Sequence, residues 1–133
     1  MEDCIFCKII SGEIPAYKVY EDTQTLAFFD INPASEYHTL VIPKRHYINM
    51  FDTPEEDAVA VMKTIKTVTT LYEEKLGLKD LNVINNSGLK AHQDVFHLHY
   101  HVVPRFSDKS LGSPWTRYPE LRDKFPEMLE KLK

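Results

Sequence analysis

The sequence predicts an α+β fold built on a mainly antiparallel sheet, and three observations carry that expectation. Short β-prone runs outnumber helical ones, the first two runs are separated by only three residues, and one long helical segment lies between later strands. At 133 residues, with 43% hydrophobic and 27% charged side chains, the chain suits one compact domain, residues 1–133, with a core of ordinary size.

Taken in order, "CIFCKIISGEIPA" reads as a helical turn stopped around Gly12 and Pro15. "YKVYED" and "TLAFFDI" read as a hairpin across "DTQ", "NPASE" as a turn, and "YHTLVIP" as a third strand ended by Pro43. The long helix is expected from Pro54 to Leu76, with Thr53 as N-cap, Pro54 at N1 and Glu56 completing a capping box. Val61, Ile65, Val68 and Tyr72 give it an apolar stripe, and Gly77 is placed to end it. "LNVIN" reads as a strand, "NSGLKAHQ" as a loop and "DVFHLHYHVVPRF" as one long strand. A short amphipathic helix is expected to begin near Pro126.

The net charge of −4 argues against a general binder of nucleic acids or membrane surfaces. No apolar run approaches the ~20 residues that span a bilayer, and "MEDCIFCKII" lacks the basic start of a signal peptide. A cytoplasmic location is the expectation. In such a reducing compartment the Cys4–Cys7 pair reads as metal-binding or redox-active rather than as a structural disulfide.

Half of the six histidines fall in "HLHYH", residues 97–101. On a strand, Phe96, Leu98, Tyr100 and Val102 share one face, the expected core face. Val95, His97, His99, His101 and Val103 share the other, with imidazoles about 6–7 Å apart. One reading makes them solvent-facing polar residues of a half-buried strand. A second makes them ligands of a catalytic zinc, although residues i, i+2 and i+4 of a flat strand do not readily converge on one ion. A third is nucleophilic catalysis: a neutral imidazole attacks, while its neighbours orient it, bind phosphate and protonate a leaving group. Phosphoryl and nucleotidyl transfer need those roles.

The run "HLHYHVV" matches the pattern H-φ-H-φ-H-φ-φ at every position, and here the chain resembles the histidine triad (HIT) family. "CKIISGEIPAYKVYED", "LAFFDINPASEYHTLVIPKRH" and the "NNSG…QDVFHLHYHVVPR" segment are similar to the family in order and spacing. The likeness covers about residues 4–106 and leaves a tail, 107–133. It implies a nucleotide-binding hydrolase or transferase acting at the α-phosphorus of a nucleoside phosphate derivative. His99 would form a nucleotidyl-histidine intermediate, His101 would contact phosphate, and His97 and His38 would complete the cluster. Asn86 would contact the phosphate, with Gln93 just before the triad strand. Asp30 would accept from ribose hydroxyls, and Phe6, Ile9, Ile14, Phe28, Ile31 and Leu40 would line a purine cleft; ordinary core is the competing reading for these apolar residues. Two positions depart from the family pattern. His92 stands where glycine is common, and Asp94 where some relatives carry a small hydroxyl residue facing the phosphate. A carboxylate there would either repel phosphate or turn aside and leave its backbone N–H as donor.

A structural zinc needs two ligands beyond the CxxC pair, with His38, His46, His92 and the triad as candidates. The resemblance implies Cys4, Cys7, His46 and His97. Reduced thiols without metal are the alternative, and a redox CxxC lacks the thioredoxin-like βαβ setting. The expected substrate is an AMP conjugate, either a nucleoside phosphoramidate or a diadenosine polyphosphate. The competing readings are a nucleotide-binding regulatory or scaffold module, and a hydrolase with its zinc in the triad. The resemblance further implies a homodimer paired through the long helix and a strand. Trp115, in "SPWTRYPEL", either reaches the partner's active site or packs locally, and packing is the expectation here.

Overall fold

The computed structural model describes residues 3–108 and 115–133; residues 1–2 and 109–114 of the expected domain lie outside the described residues. Helix α1 (Ile5–Ile10) is followed by strands β1 (Lys18–Glu21) and β2 (Thr25–Phe29), then β3 (Thr39–Pro43). Helix α2 (Glu55–Leu76) connects β3 to β4 (Leu81–Asn85), and β5 (Tyr100–Pro104) precedes α3 (Phe125–Lys131). The sheet order is β1-β2-β3-β5-β4, with every neighbouring pair antiparallel. The first hairpin is closed by Asp22, whose Oδ1 accepts from the Gln24 and Thr25 N–H groups at 2.8 Å each.

Both faces of the sheet are covered, which is why β2 and β3 are buried at every residue rather than alternating. Ala27, Phe29, Val41 and Val102 face α2, where Val61, Ile65, Val68 and Tyr72 form the expected stripe. Phe125, Met128 and Leu132 close the same core from α3 and the residue beyond it. On the opposite face a smaller cluster joins Phe6 and Ile9 of α1 to Leu26, Phe28, Leu40 and Ile42. Residues 97, 99 and 101 share this second face by parity, and His101 lies opposite Leu40 and Ile84 in register.

Three local expectations are corrected. Helix α2 starts at Glu55 with Pro54 at the N-cap and no side-chain cap, because the Thr53 hydroxyl donates to the Asn49 carbonyl (2.7 Å) instead. Glu55, Glu56 and Asp57 still place negative charge against the helix N-terminus. The long histidine strand shortens to Tyr100–Pro104. Its neighbour β4 ends opposite Tyr100, and beyond Ile42 the other neighbour offers Pro43, which has no N–H. The Leu98 N–H therefore donates to the Tyr47 carbonyl at 2.7 Å, outside the ladder. Finally, Leu98 and Val102 are buried but Phe96 is 44% exposed, so the expected core face is incomplete. Gly77 ends α2 in the left-handed conformation (φ 66°) as the sequence implies.

Candidate active site

All three triad histidines are buried, so solvent-facing polar residues of a half-buried strand they are not. Each meets a different set of partners.

His97 donates from Nε2 to the Pro43 carbonyl oxygen (2.8 Å), which leaves the Nδ1 lone pair facing away from the strand. There it meets Cys4 Sγ at 3.4 Å, Cys7 Sγ at 3.6 Å and His46 Nδ1 at 3.2 Å, and Cys7 Sγ lies 3.4 Å from His46 Nδ1. Helix geometry explains the thiols: Cys4 is the N-cap of α1 and Cys7 is one turn on, its N–H pointing at Cys4 Sγ. A tetrahedral zinc has N–N edges of about 3.3 Å and N–S edges of about 3.6 Å from its bond lengths. The four distances fit edges of that tetrahedron, and the His97 bond to a carbonyl supplies the outer support a ligating imidazole needs. Burial pushes His97 down to about 4, which keeps it a neutral ligand. Burial and the neighbouring Cys4 thiol push the Cys7 thiol up to about 11, an effect a bound cation reverses.

At the other end His38, on the "NPASEY" turn before β3, accepts the Ala34 N–H at Nδ1 (2.9 Å). Its Nε2 therefore carries the hydrogen and donates to His101 Nδ1 (2.9 Å), so His101 presents Nε2–H outward. Burial, reinforced by their mutual proximity, holds His38 well below the usual imidazole range. Burial first, then His99, brings His101 down to about 3. Asp30 Oδ2 stands 3.5 Å from His38 Nε2, 3.9 Å from His101 Nδ1 and 3.3 Å from Arg117 Nη1. Its Oδ1 accepts the Asn32 N–H at 2.8 Å, and burial raises its carboxyl above the ordinary range despite that bond.

His99 lies between these two groups and belongs to neither. Its Nδ1–H donates to the main-chain carbonyl of His97 (2.8 Å), and its own carbonyl accepts from Asn85 Nδ2 (2.9 Å). The Phe6 ring packs edge-on against both His97 and His99. That leaves Nε2 of His99, whose neighbour is Asp94 Oδ1 at 3.3 Å. The adjacent His99 imidazole keeps the Asp94 carboxyl below the usual range, against the opposing effect of burial. Because no single point collects the three triad imidazoles, the metal-capable groups found among the described residues split them, His97 in one and His101 in the other.

The remaining expected residues are distributed unevenly. A cleft of about 470 Å³ is lined by Asn86, His92, Asp94, His101, Trp115 and Arg117. Phe6, Ile9, Phe28 and Leu40, with Ile14 alongside, gather in the cluster under α1, whereas Ile31 stands apart and 53% exposed. Gln93 is buried, its amide engaged by Ile48 O, Val95 O and the Gly88 N–H. His92 takes φ 66°, the conformation that favours glycine. Trp115 packs against its own chain, its ring 4.9 Å from that of His101. Sequence reasoning missed Asn85 and Arg117. The register of "LNVIN" against the triad strand could have pointed to Asn85; Arg117 is 87 residues from Asp30 and carries no local signal.

The HIT-domain family model matches residues 11–108. The chain belongs to the HIT family. Among its relatives, adenosine 5′-monophosphoramidase hnt1 of Schizosaccharomyces pombe is 38% identical, the match covering 98% of each chain. The adenylylsulfatase HINT3 of Arabidopsis thaliana is 40% identical over 77% of this chain and 52% of its own. A zinc-bound histidine triad family protein from Mycobacterium smegmatis has the same fold, with TM-score 0.84 and 36% identity over 98% of this chain and 94% of its own. No helix among the described residues is long and apolar enough to cross a membrane.

Proposed function

We propose that this HIT protein hydrolyses AMP conjugates at the α-phosphorus through a nucleotidyl-histidine intermediate on Nε2 of His99. The observation that carries this is the bond from His99 Nδ1–H to the His97 carbonyl, which fixes the tautomer whose Nε2 lone pair is available for attack. In the first step Nε2 bonds to phosphorus and the leaving group departs with the electron pair of its broken bond. Water then attacks phosphorus, releases AMP and restores the imidazole. His101 Nε2–H donates to a phosphate oxygen throughout; being neutral, it stabilises by direction rather than by charge. Asn86 adds a donor from the cleft wall, and Asp30 accepts from the ribose while Phe6, Ile9, Phe28, Leu40 and the exposed Ile31 flank the base. Gln93 holds the loop that carries Asp94. Cys4, Cys7, His46 and His97 would hold a zinc ion, which would cross-link α1 to the triad segment. A monophosphoramidase and an adenylylsulfatase among the relatives support an adenylyl substrate. The working form in this reading is a cytoplasmic homodimer, which would cover the exposed Val59 and Met62 of α2 and Val83 of β4.

AMP release from adenosine 5′-phosphoramidate and diadenosine tetraphosphate tests the reading. His99→Ala is expected to lower release by at least about 10³-fold while the protein stays folded. A folded, AMP-binding wild type that releases nothing from either compound would favour the second reading, a nucleotide-binding regulatory module. That reading draws on one observation, the carboxylate of Asp94 seated against the attacking nitrogen.

A further inference from the structure

The placement of Asp94 is built rather than incidental. The loop before it is anchored at two residues: His92 in the left-handed conformation and Gln93, whose buried amide joins Ile48, Gly88 and Val95. The Val95 N–H then donates to Asp94 Oδ1 (2.9 Å), and the same oxygen reaches 3.3 Å from Nε2 of His99. The carboxylate is 62% exposed and opens on the cleft that holds His101 and Asn86. The cation on the opposite wall, Arg117, is already bonded to Asp30 Oδ2 (3.3 Å) and the Asn32 carbonyl (2.7 Å). The space beside the nucleophile therefore carries the Asp94 carboxylate, while the Arg117 guanidinium that lines the same cleft is taken by Asp30.

Resting on the AMP-conjugate reading, we propose that Asp94 determines leaving-group specificity: it favours departing amines that are positively charged and disfavours anionic ones. Attack across about 3–3.5 Å places the departing atom roughly 5 Å from Nε2, within reach of a carboxylate already beside that nitrogen. For a phosphoramidate, one proton from solvent converts the bridging NH to NH2⁺. Nε2 then forms its bond to phosphorus as the P–N bond breaks, the bond pair stays on the departing nitrogen and leaves it uncharged, and the charge at the far end of the amine is unchanged. Asp94 transfers no proton; it accepts a hydrogen bond from the bridging nitrogen while that atom is positive. A leaving group joined through oxygen has no bridging hydrogen to offer, and an anionic one of either kind sets like charge against the carboxylate.

Two AMP phosphoramidates that differ only at the far end of the amine make the test: one of 1,3-diaminopropane, ending in an ammonium, and one of β-alanine, ending in a carboxylate. The wild type is expected to favour the ammonium conjugate in kcat/KM by at least about tenfold. In Asp94→Asn the ratio should fall to within about threefold of one, whatever happens to the absolute rates. Asp94→Ser, smaller and uncharged, provides the same reading if the first variant does not fold. A wild-type ratio near one, or a ratio unchanged in a folded variant, would overturn the role of Asp94 and leave the hydrolase standing. No hydrolysis of either conjugate by an AMP-binding wild type would overturn both.

Discussion

The two ends of the triad use one residue type at one spacing and reach opposite solutions. At the His97 end, four metal-capable atoms converge, two imidazole nitrogens and two cysteine sulfurs. At the His101 end, donor and acceptor alternate from the Ala34 N–H through His38 to His101, so the same kind of close nitrogen pair is satisfied by a proton. The difference arises one step away from the imidazoles. A carbonyl, Pro43 O, orients His97 with its lone pair outward; an N–H, that of Ala34, orients His38 with its hydrogen outward. What touches the back of a histidine decides whether its front suits a metal or a phosphate.

The largest expected effect comes from breaking the thiol end. Cys7→Ser should lose bound zinc, measured by metal analysis, and lower stability by about 4 kcal/mol, on the order of 15 °C in Tm for a chain of this size. A variant that kept both its zinc and its Tm would erase the contrast between the two ends. Acid sharpens the contrast from the other side. The folded-state values of His38 and His101 are depressed, so the unfolded chain binds more protons below about pH 6.5, and stability falls as pH drops towards 3. With both groups titrating, the slope reaches roughly 3 kcal/mol per pH unit, which urea midpoints at successive pH values would measure. Asp30, whose carboxyl is raised, works against this just above the ordinary carboxylate range. Smallest is the loss of the proton relay itself. His38→Ala leaves the Ala34 N–H buried and unpaired, with an expected loss of about 2 kcal/mol by denaturant unfolding and retention of zinc.

Local chemistry made much of this fold legible. "DTQ" between β-prone runs gives the hairpin, and Gly77 stops α2 because a left-handed residue is needed there. Thr53 misled because a nearby carbonyl, that of Asn49, competed for its hydroxyl. The histidine strand was overextended because pairing depends on where neighbouring strands stop, which periodicity does not encode. Within the site, the family resemblance names Cys4, Cys7, His46 and His97 together, and the fold brings them together. The direction of Asp94 was not legible. It depends on the anchored loop 92–93, and of the two orientations weighed from sequence, neither pointed the carboxylate at His99. Arg117 was invisible for a similar reason, since only the folded tail sets it beside Asp30.

The acceptor that orients His99 is a main-chain atom. Every amino acid at position 97 brings the same carbonyl, so no side-chain replacement there can delete that bond; only a displaced backbone can. The thiol end has no such insurance, because one base change in a cysteine codon removes a ligand. Drift along a lineage can therefore shed the cysteine end while the nucleophile keeps its tautomer, and the two halves of this site are free to evolve at different rates.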